Sequence, residues 1–94
     1  MKISGRDQLD RFCIAHADCR SWIENWIADT ESSQWHTPQD IKNRYSSASF
    51  LAESIVIFNV RGNAYRLVTN VAYRTGVVFV KWIGTHPDYE KKYG

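Results

Sequence analysis

Two periodicities divide the chain. Leu9, Phe12, Cys13 and His16 recur at i, i+3, i+4 and i+7, the stripe of an amphipathic helix that starts near Gly5. Asp7 and Asp10 fall in its early turns, where the helix dipole favours acids. Met1 to Ile3, just before it, reads as a short edge strand. A break near Ala17-Asp18 leads to a second stripe, Trp22, Ile23, Trp26 and Ile27, with Asp18 as its candidate cap. The polar stretch Asp29 to Trp35 reads as loop. Thr37-Pro38-Gln39-Asp40 carries a capping residue, a proline suited to the first helical position and an acid in the first turn, so it predicts a short third helix to about Tyr45.

After the polar connection Ser46-Ser47-Ala48-Ser49 the period changes to two. Ile55 to Phe58 is a β-branched run, and Arg61-Gly62-Asn63 is a turn signal. From Tyr65 to Tyr73 the chain alternates, with Tyr65, Leu67, Thr69, Val71 and Tyr73 on one face and Arg66, Val68, Asn70, Ala72 and Arg74 on the other. Thr75-Gly76 signals a hairpin into a third strand, Val77 to Ile83, and Thr85-His86-Pro87-Asp88 opens a short C-terminal helical segment. Helices followed by a three-strand antiparallel meander make an α+β plan. A two-residue hairpin loop pairs Arg74 with Val77 and sets Arg66 opposite Thr85 and Asn70 opposite Lys81. A three-residue loop pairs Tyr73 with Val77 and sets Arg66 opposite Gly84. A slip of one residue changes every facing, yet both registers bring Arg66 close to His86.

Composition narrows the class. Ninety-four residues correspond to one domain over 1–94, and 13 aromatic residues, four of them Trp, supply burial that so short a chain needs. No run approaches the ~20 apolar residues of a membrane span, and the first residues lack the apolar core of a signal peptide, so a cytoplasmic protein is expected. There Cys13 and Cys19 are expected to be reduced, and no cysteine or histidine spacing suggests zinc. The net charge of +2 is uneven: residues 1–47 carry −1 and residues 48–94 carry +3. A basic strand half suggests a polyanionic partner, nucleic acid first.

The chemistry that remains open is defined by scarcity of acids. Between Glu53 and Asp88 there is no carboxylate, which disfavours a carboxylate-held metal for phosphodiester cleavage. No Gly-x-Ser-x-Gly and no phosphate-cradling glycine loop occurs. Metal-free RNA cleavage needs a proton acceptor for the 2′-OH, a proton donor for the leaving 5′ oxygen and cations on the phosphorane. Arg66, Lys81, His86 and Tyr89 are side chains of those types. Each also has a plainer reading. Arg66 is a wet-face arginine or a bidentate phosphate clamp. His86 is a bystander in a surface turn or a proton-transfer group, histidine being a side-chain type suited to giving or taking a proton in the cell. Tyr89, one helical turn on, shares its face or packs the C-terminus onto the sheet, as Tyr93 does. His16 packs or caps, His36 belongs to the start of the third helix, Lys42 and Arg44 lie on a solvated face, and Phe50-Leu51 are core.

Two segments carry a resemblance. Val56-Ile57-Phe58-Asn59-Val60-Arg61-Gly62-Asn63-Ala64-Tyr65-Arg66-Leu67-Val68 resembles the HigB-type toxin pattern, a hydrophobic strand ending Phe-Asn, then Gly-Asn, then Tyr-Arg-Leu. Ile83-Gly84-Thr85-His86-Pro87-Asp88-Tyr89-Glu90 is similar to that family's closing Gly-Thr-His-x-x-Tyr-acid motif, and Trp35-His36-Thr37-Pro38 also looks like it. The resemblance implies a RelE-like fold, with N-terminal helices on a curved antiparallel sheet. It implies metal-independent mRNA cleavage on or off the ribosome, no cofactor, and neutralisation by a HigA-type helix-turn-helix antitoxin. By position, Arg66, His86 and Tyr89 become the catalytic candidates, and Asn59, Arg61, Arg74 and Lys81 the RNA-binding candidates, with Asn63 a turn residue. The alternative is a non-catalytic RNA- or ribosome-binding module or an inactive toxin homologue.

Overall fold

A computed structural model describes residues 1–52 and 54–94. The order of elements is β1 (Lys2–Ser4), α1 (Arg6–Ala15), a 3-10 turn (Ala17–Cys19), α2 (Arg20–Ser32), α3 (Pro38–Arg44), β2 (Ser49–Phe50), β3 (Ile55–Val60), β4 (Tyr65–Ala72), β5 (Val77–Thr85) and α4 (His86–Tyr93). The five strands form one sheet in the order β1-β5-β4-β3-β2. The α+β plan and the β3-β4-β5 meander match the pattern of the sequence. The wholly antiparallel sheet does not: β1 pairs parallel to β5, with Lys2 opposite Val77 and Ser4 opposite Phe79. Gly5 makes that possible. It adopts φ +94, and a Cβ there would lie 3.2 Å from both the Cβ and the carbonyl oxygen of Val80. Only glycine lets the chain leave the sheet so tightly and enter α1.

The helical stripes pack on one face. Leu9 and Cys13 of α1, Ile23, Trp26 and Ile27 of α2, and Ile41 of α3 meet Val56, Phe58 and Val60 of β3, Leu67 and Val71 of β4, and Val78 and Val80 of β5. Phe58 is the centre, with Trp26 at 5.5 Å and Tyr45 at 5.2 Å, both edge-on. Full burial of such a side chain stabilises by roughly 1.5–3 kcal/mol. Thr69, buried in the same layer, donates its hydroxyl to the Val56 carbonyl at 2.9 Å.

Several local expectations change. The stretch from Asp29 is helical through Ser32, because its polar side chains find partners without leaving the helix: Ser32 Oγ donates to the Ala28 carbonyl at 3.0 Å, and Asp29 accepts from Tyr45 Oη at 2.9 Å. Asp18 does not cap α2, whose start carries no side-chain cap. Leu51 is 59% exposed, so of the Phe50-Leu51 pair only Phe50 packs on the core. The α3 start does form as expected, with Thr37 and Asp40 exchanging side-chain and backbone hydrogen bonds in a capping box. Cys13 and Cys19 are free and buried, their sulfurs 3.7 Å apart. No described helix is long and apolar enough to cross a membrane.

The hairpin between β4 and β5 resolves the register. Its loop is four residues, 73–76, with Ala72 opposite Val77. The register then shifts between Val68 and Thr69: Thr69 faces Val80, Val68 faces Trp82, and Lys81 is left over. Lys81 is therefore the extra residue of a β-bulge and pairs with nothing across the ladder, Asn70 included. Beyond the bulge Arg66 faces Gly84, as a three-residue loop would have placed it.

Candidate functional site

The bulge decides which residues meet. Val78 and Val80 point into the core; with unbroken alternation Trp82 and Gly84 would follow them. The extra residue reverses the parity, so Ile83 turns inward and Trp82 and Gly84 join the face that carries Arg66 and Val68. There the Trp82 ring lies across Gly84 so closely that a Cβ on Gly84 would stand 2.4 Å from it. The helix α4 folds onto this end of the sheet. Trp82 contacts Tyr89 at 6.4 Å and Tyr93 at 5.9 Å between ring centroids, and Tyr89 stacks on Tyr93 at 5.2 Å.

Two anchors hold the end of the sheet to its surroundings. The β3–β4 turn is left-handed at Arg61 (φ 51) and Gly62 (φ 68), and its Ala64 carbonyl accepts the His86 amide at 3.1 Å. The start of β4 is thus tied to the start of α4. On the other side the Asp18 carboxylate accepts from Tyr65 Oη at 2.6 Å and from Arg61 Nη1 at 2.9 Å. This is the role of Asp18 in place of a cap. The hydrogen bond to Asp18 raises the Tyr65 phenol pKa above its ordinary value, with burial adding to it.

Within that frame Arg66 is half-buried, opposite Asn59 on β3 and Gly84 on β5. Nη1 donates to the Tyr65 carbonyl at 3.1 Å and Nη2 to the Asn63 side-chain oxygen at 3.4 Å. Its Cζ lies 6.0 Å from the centre of the Tyr89 ring. No described carboxylate pairs with Arg66, so neutral groups hold a guanidinium whose charge stays available to an anion. His86 is the first residue of α4, behind the N-cap Thr85, whose hydroxyl accepts the Asp88 amide at 3.2 Å. His86 Nε2 lies 2.9 Å from Glu90 Oε1. An ionised carboxylate only accepts, so Nε2 carries the proton of that bond and Nδ1 is the nitrogen left for other work. Glu90 is the i+4 neighbour of His86, a spacing legible once the segment is taken as helical.

The remaining candidates separate. Asn59 is a ladder partner of Arg66. Arg61 is at the same end but is engaged by Asp18. Lys81 is exposed at the bulge. Arg74 is not brought to the site: it lies in the β4–β5 loop at the far end of the sheet and lines a cleft of about 530 Å³ with Lys2, Glu31, Trp35, His36 and Tyr73. Lys42 donates to the Ala48 carbonyl at 2.7 Å, and His16 stacks on Phe12 at 4.2 Å. Trp82, Gly84 and Asp18 were not singled out from the sequence as site-forming residues. Their signal depends on the bulge and on a contact 47 residues apart in the chain. Among the described residues no group of three or more His, Cys, Asp or Glu is disposed to hold a metal ion.

No curated relative matches the chain. A family model described as HigB toxin, the RelE-like toxic component of a toxin–antitoxin system, matches residues 19–92, which include both quoted motifs and the whole Arg66–His86–Tyr89 end of the sheet. A toxin of such a system has an antitoxin as its partner. The chain belongs to the HigB family of RelE-like toxins.

Proposed function

We propose that this toxin is a metal-independent endoribonuclease that cleaves mRNA, on the ribosome, and that a HigA-type helix-turn-helix antitoxin neutralises it. The observation that carries the reading is the unneutralised Arg66 guanidinium beside Tyr89, on a strand whose start is tied to that of the helix bearing His86. The 2′-OH of the RNA attacks the adjacent phosphorus, the P–O5′ bond breaks, and the products are a 2′,3′-cyclic phosphate and a free 5′-OH. Arg66 holds the non-bridging phosphate oxygens and spreads the charge of the phosphorane. His86 moves a proton through Nδ1 while Glu90 fixes the ring. Tyr89 aligns the nucleotide beside Arg66. Asn59 and Arg61 border the same end of the sheet and Lys81 contacts the RNA backbone, whereas Arg74 acts at the far loop.

Purified protein incubated with mRNA, with and without ribosomes and in the presence of EDTA, tests this. Cleavage that survives EDTA and leaves cyclic phosphate ends is expected. Arg66→Ala is expected to lose about 10²–10³-fold in rate and His86→Ala about 10²–10⁴-fold, both remaining folded. Binding of RNA without cleavage would instead assign the chain to the non-catalytic alternative, and undiminished cleavage in both variants would remove the site assignment.

A further inference from the structure

The face of the sheet turned away from α1–α3 meets α4 at Arg66 and Trp82, and Ile57 and Val68 beside Trp82 are buried; beyond them it holds an exposed aromatic. The register sets Ser4, Phe79, Asn70 and Ile55 in one row across four strands, and Lys2, Val77 and Ala72 in the next. Val78 and Val80, on either side of Phe79, are in the core, so the Phe79 ring faces outward and is 43% exposed. The Phe79 ring, partly in water beside half-exposed Ile55 and Val77, is open to a stacking contact.

Charge indicates which occupant. The strands β3, β4 and β5 contain no Asp or Glu. Lys2, opposite Val77 on the neighbouring strand β1, and the bulge residue Lys81 are exposed to either side of Phe79, and neither has an acidic partner among the described residues. The Asn70 amide lies on the neighbouring strand, directly opposite Phe79. From Asn70 to Arg66 is four residues of β4, about 13 Å at ~3.3 Å per residue. An aromatic platform, a facing amide and flanking cations in continuity with a phosphate-holding arginine are the components of a single-strand nucleic-acid path.

We infer that this open half of the sheet carries the single-stranded RNA as it leaves Arg66, with one base stacked on Phe79, its edge toward Asn70, and the backbone passing Lys81 and Lys2. The inference rests on the RNA-directed reading above and extends the site beyond the cleaved bond. Binding is measured on a fluorescein-labelled 2′-O-methyl RNA of about a dozen nucleotides, which lacks the attacking hydroxyl and cannot be cut, so failure of cleavage and failure of this face are separate results. Phe79→Ala is expected to weaken binding about tenfold and Phe79→Trp to retain it. Lys81→Gln is expected to lower the slope of log affinity against log salt by about 0.7. Circular dichroism confirms that each variant is folded. Unchanged affinity in Phe79→Ala together with an unchanged salt slope in Lys81→Gln overturns the inference. Unchanged RNA affinity in Phe79→Ala with loss of self-association or of antitoxin capture overturns it as well and gives the face to a protein.

Discussion

Gly84 shows how one position sets the geometry of the candidate site. Its missing Cβ leaves room for the Trp82 ring, which would otherwise be met at 2.4 Å, and Trp82 in turn supports Tyr89 and Tyr93. The atoms in the way belong to the ring of a side chain packed on both sides, so Gly84→Ala cannot be absorbed by rotation of a free end. Overpacking of this kind costs about 1–3 kcal/mol. Gly84→Ala is expected to lower the urea midpoint accordingly, and Trp82→Ala in the same chain to recover part of the loss, because the two act on one contact. Additive effects of the two substitutions would mean that the ring does not lie over Gly84. At the start of α3 a second single-residue effect is expected. Backbone amides of His36 and Thr37 hold the Asp40 carboxyl below its ordinary pKa. A depressed folded-state pKa stabilises above the unfolded value of about 3.9 and is lost as pH falls through the folded value. Asp40→Asn is therefore expected to be less stable than the parent near neutrality and to converge with it in acid, as followed by thermal unfolding.

At the scale of elements the decisive feature is the bulge at Lys81. Deletion of Lys81 removes the bulge and leaves Trp82 directly after Val80, so strict alternation keeps Trp82 and Gly84 on the outer face and Ile83 inward, with Val80 still opposite Thr69 and Trp82 still opposite Val68. The deletion is therefore expected to keep cooperative unfolding and the near-ultraviolet dichroism of the Trp cluster, as Lys81→Ala does; a deletion variant that loses both would show that the strand does not hold these facings without the extra residue. The same feature explains how far the fold was legible. Helix stripes at Leu9–His16 and Trp22–Ile27, the Thr37–Asp40 capping box and the alternation from Tyr65 are local patterns, and each produced its element. The convergence of Arg66 with the His86 end was legible too, because neighbouring registers share it. The bulge was not, since Val77 to Ile83 is apolar enough to satisfy either parity, with only Lys81 polar between. Nor was the parallel pairing of β1, which depends on a strand more than seventy residues away. The aromatic support of Tyr89 and the role of Asp18 depend on contacts that exist only after those elements have met.

For the molecule as a whole, three contacts that join or consolidate the helical layer share one sign of pH dependence. Burial, and a hydrogen bond with Cys13, push the Cys19 thiol from its ordinary 9.0 up to about 12. Burial and the hydrogen bond to Asp29 raise the Tyr45 phenol, and the hydrogen bond to Asp18 raises that of Tyr65. Tyr45 contacts Phe58 of β3 and Tyr65 lies on β4, so Tyr45 joins α2 and α3 to the sheet and Tyr65 joins it to the 3-10 turn. Each group has a folded-state pKa above its unfolded one, so the folded state binds the proton more tightly. The stabilisation is complete below the unfolded value and declines as pH rises toward the folded value. The free energy of unfolding is thus expected to fall from about pH 9 through Cys19 and more steeply above about pH 10, where both phenols join. Urea titrations from neutral to alkaline pH measure it. Cys19→Ala is expected to remove the first part of the decline and Tyr65→Phe to reduce the second, and iodoacetamide is expected to label the thiols only as fast as the chain unfolds. A parent protein equally stable across this range, or thiols alkylated at once in the folded state, would show that these contacts do not hold the layers together in solution. If the decline appears in the parent and is smaller in Tyr65→Phe, the Asp18–Tyr65 anchor beneath Arg66 is part of the stability of the fold, and the geometry of the candidate site is maintained by the same contacts that join the helices to the sheet.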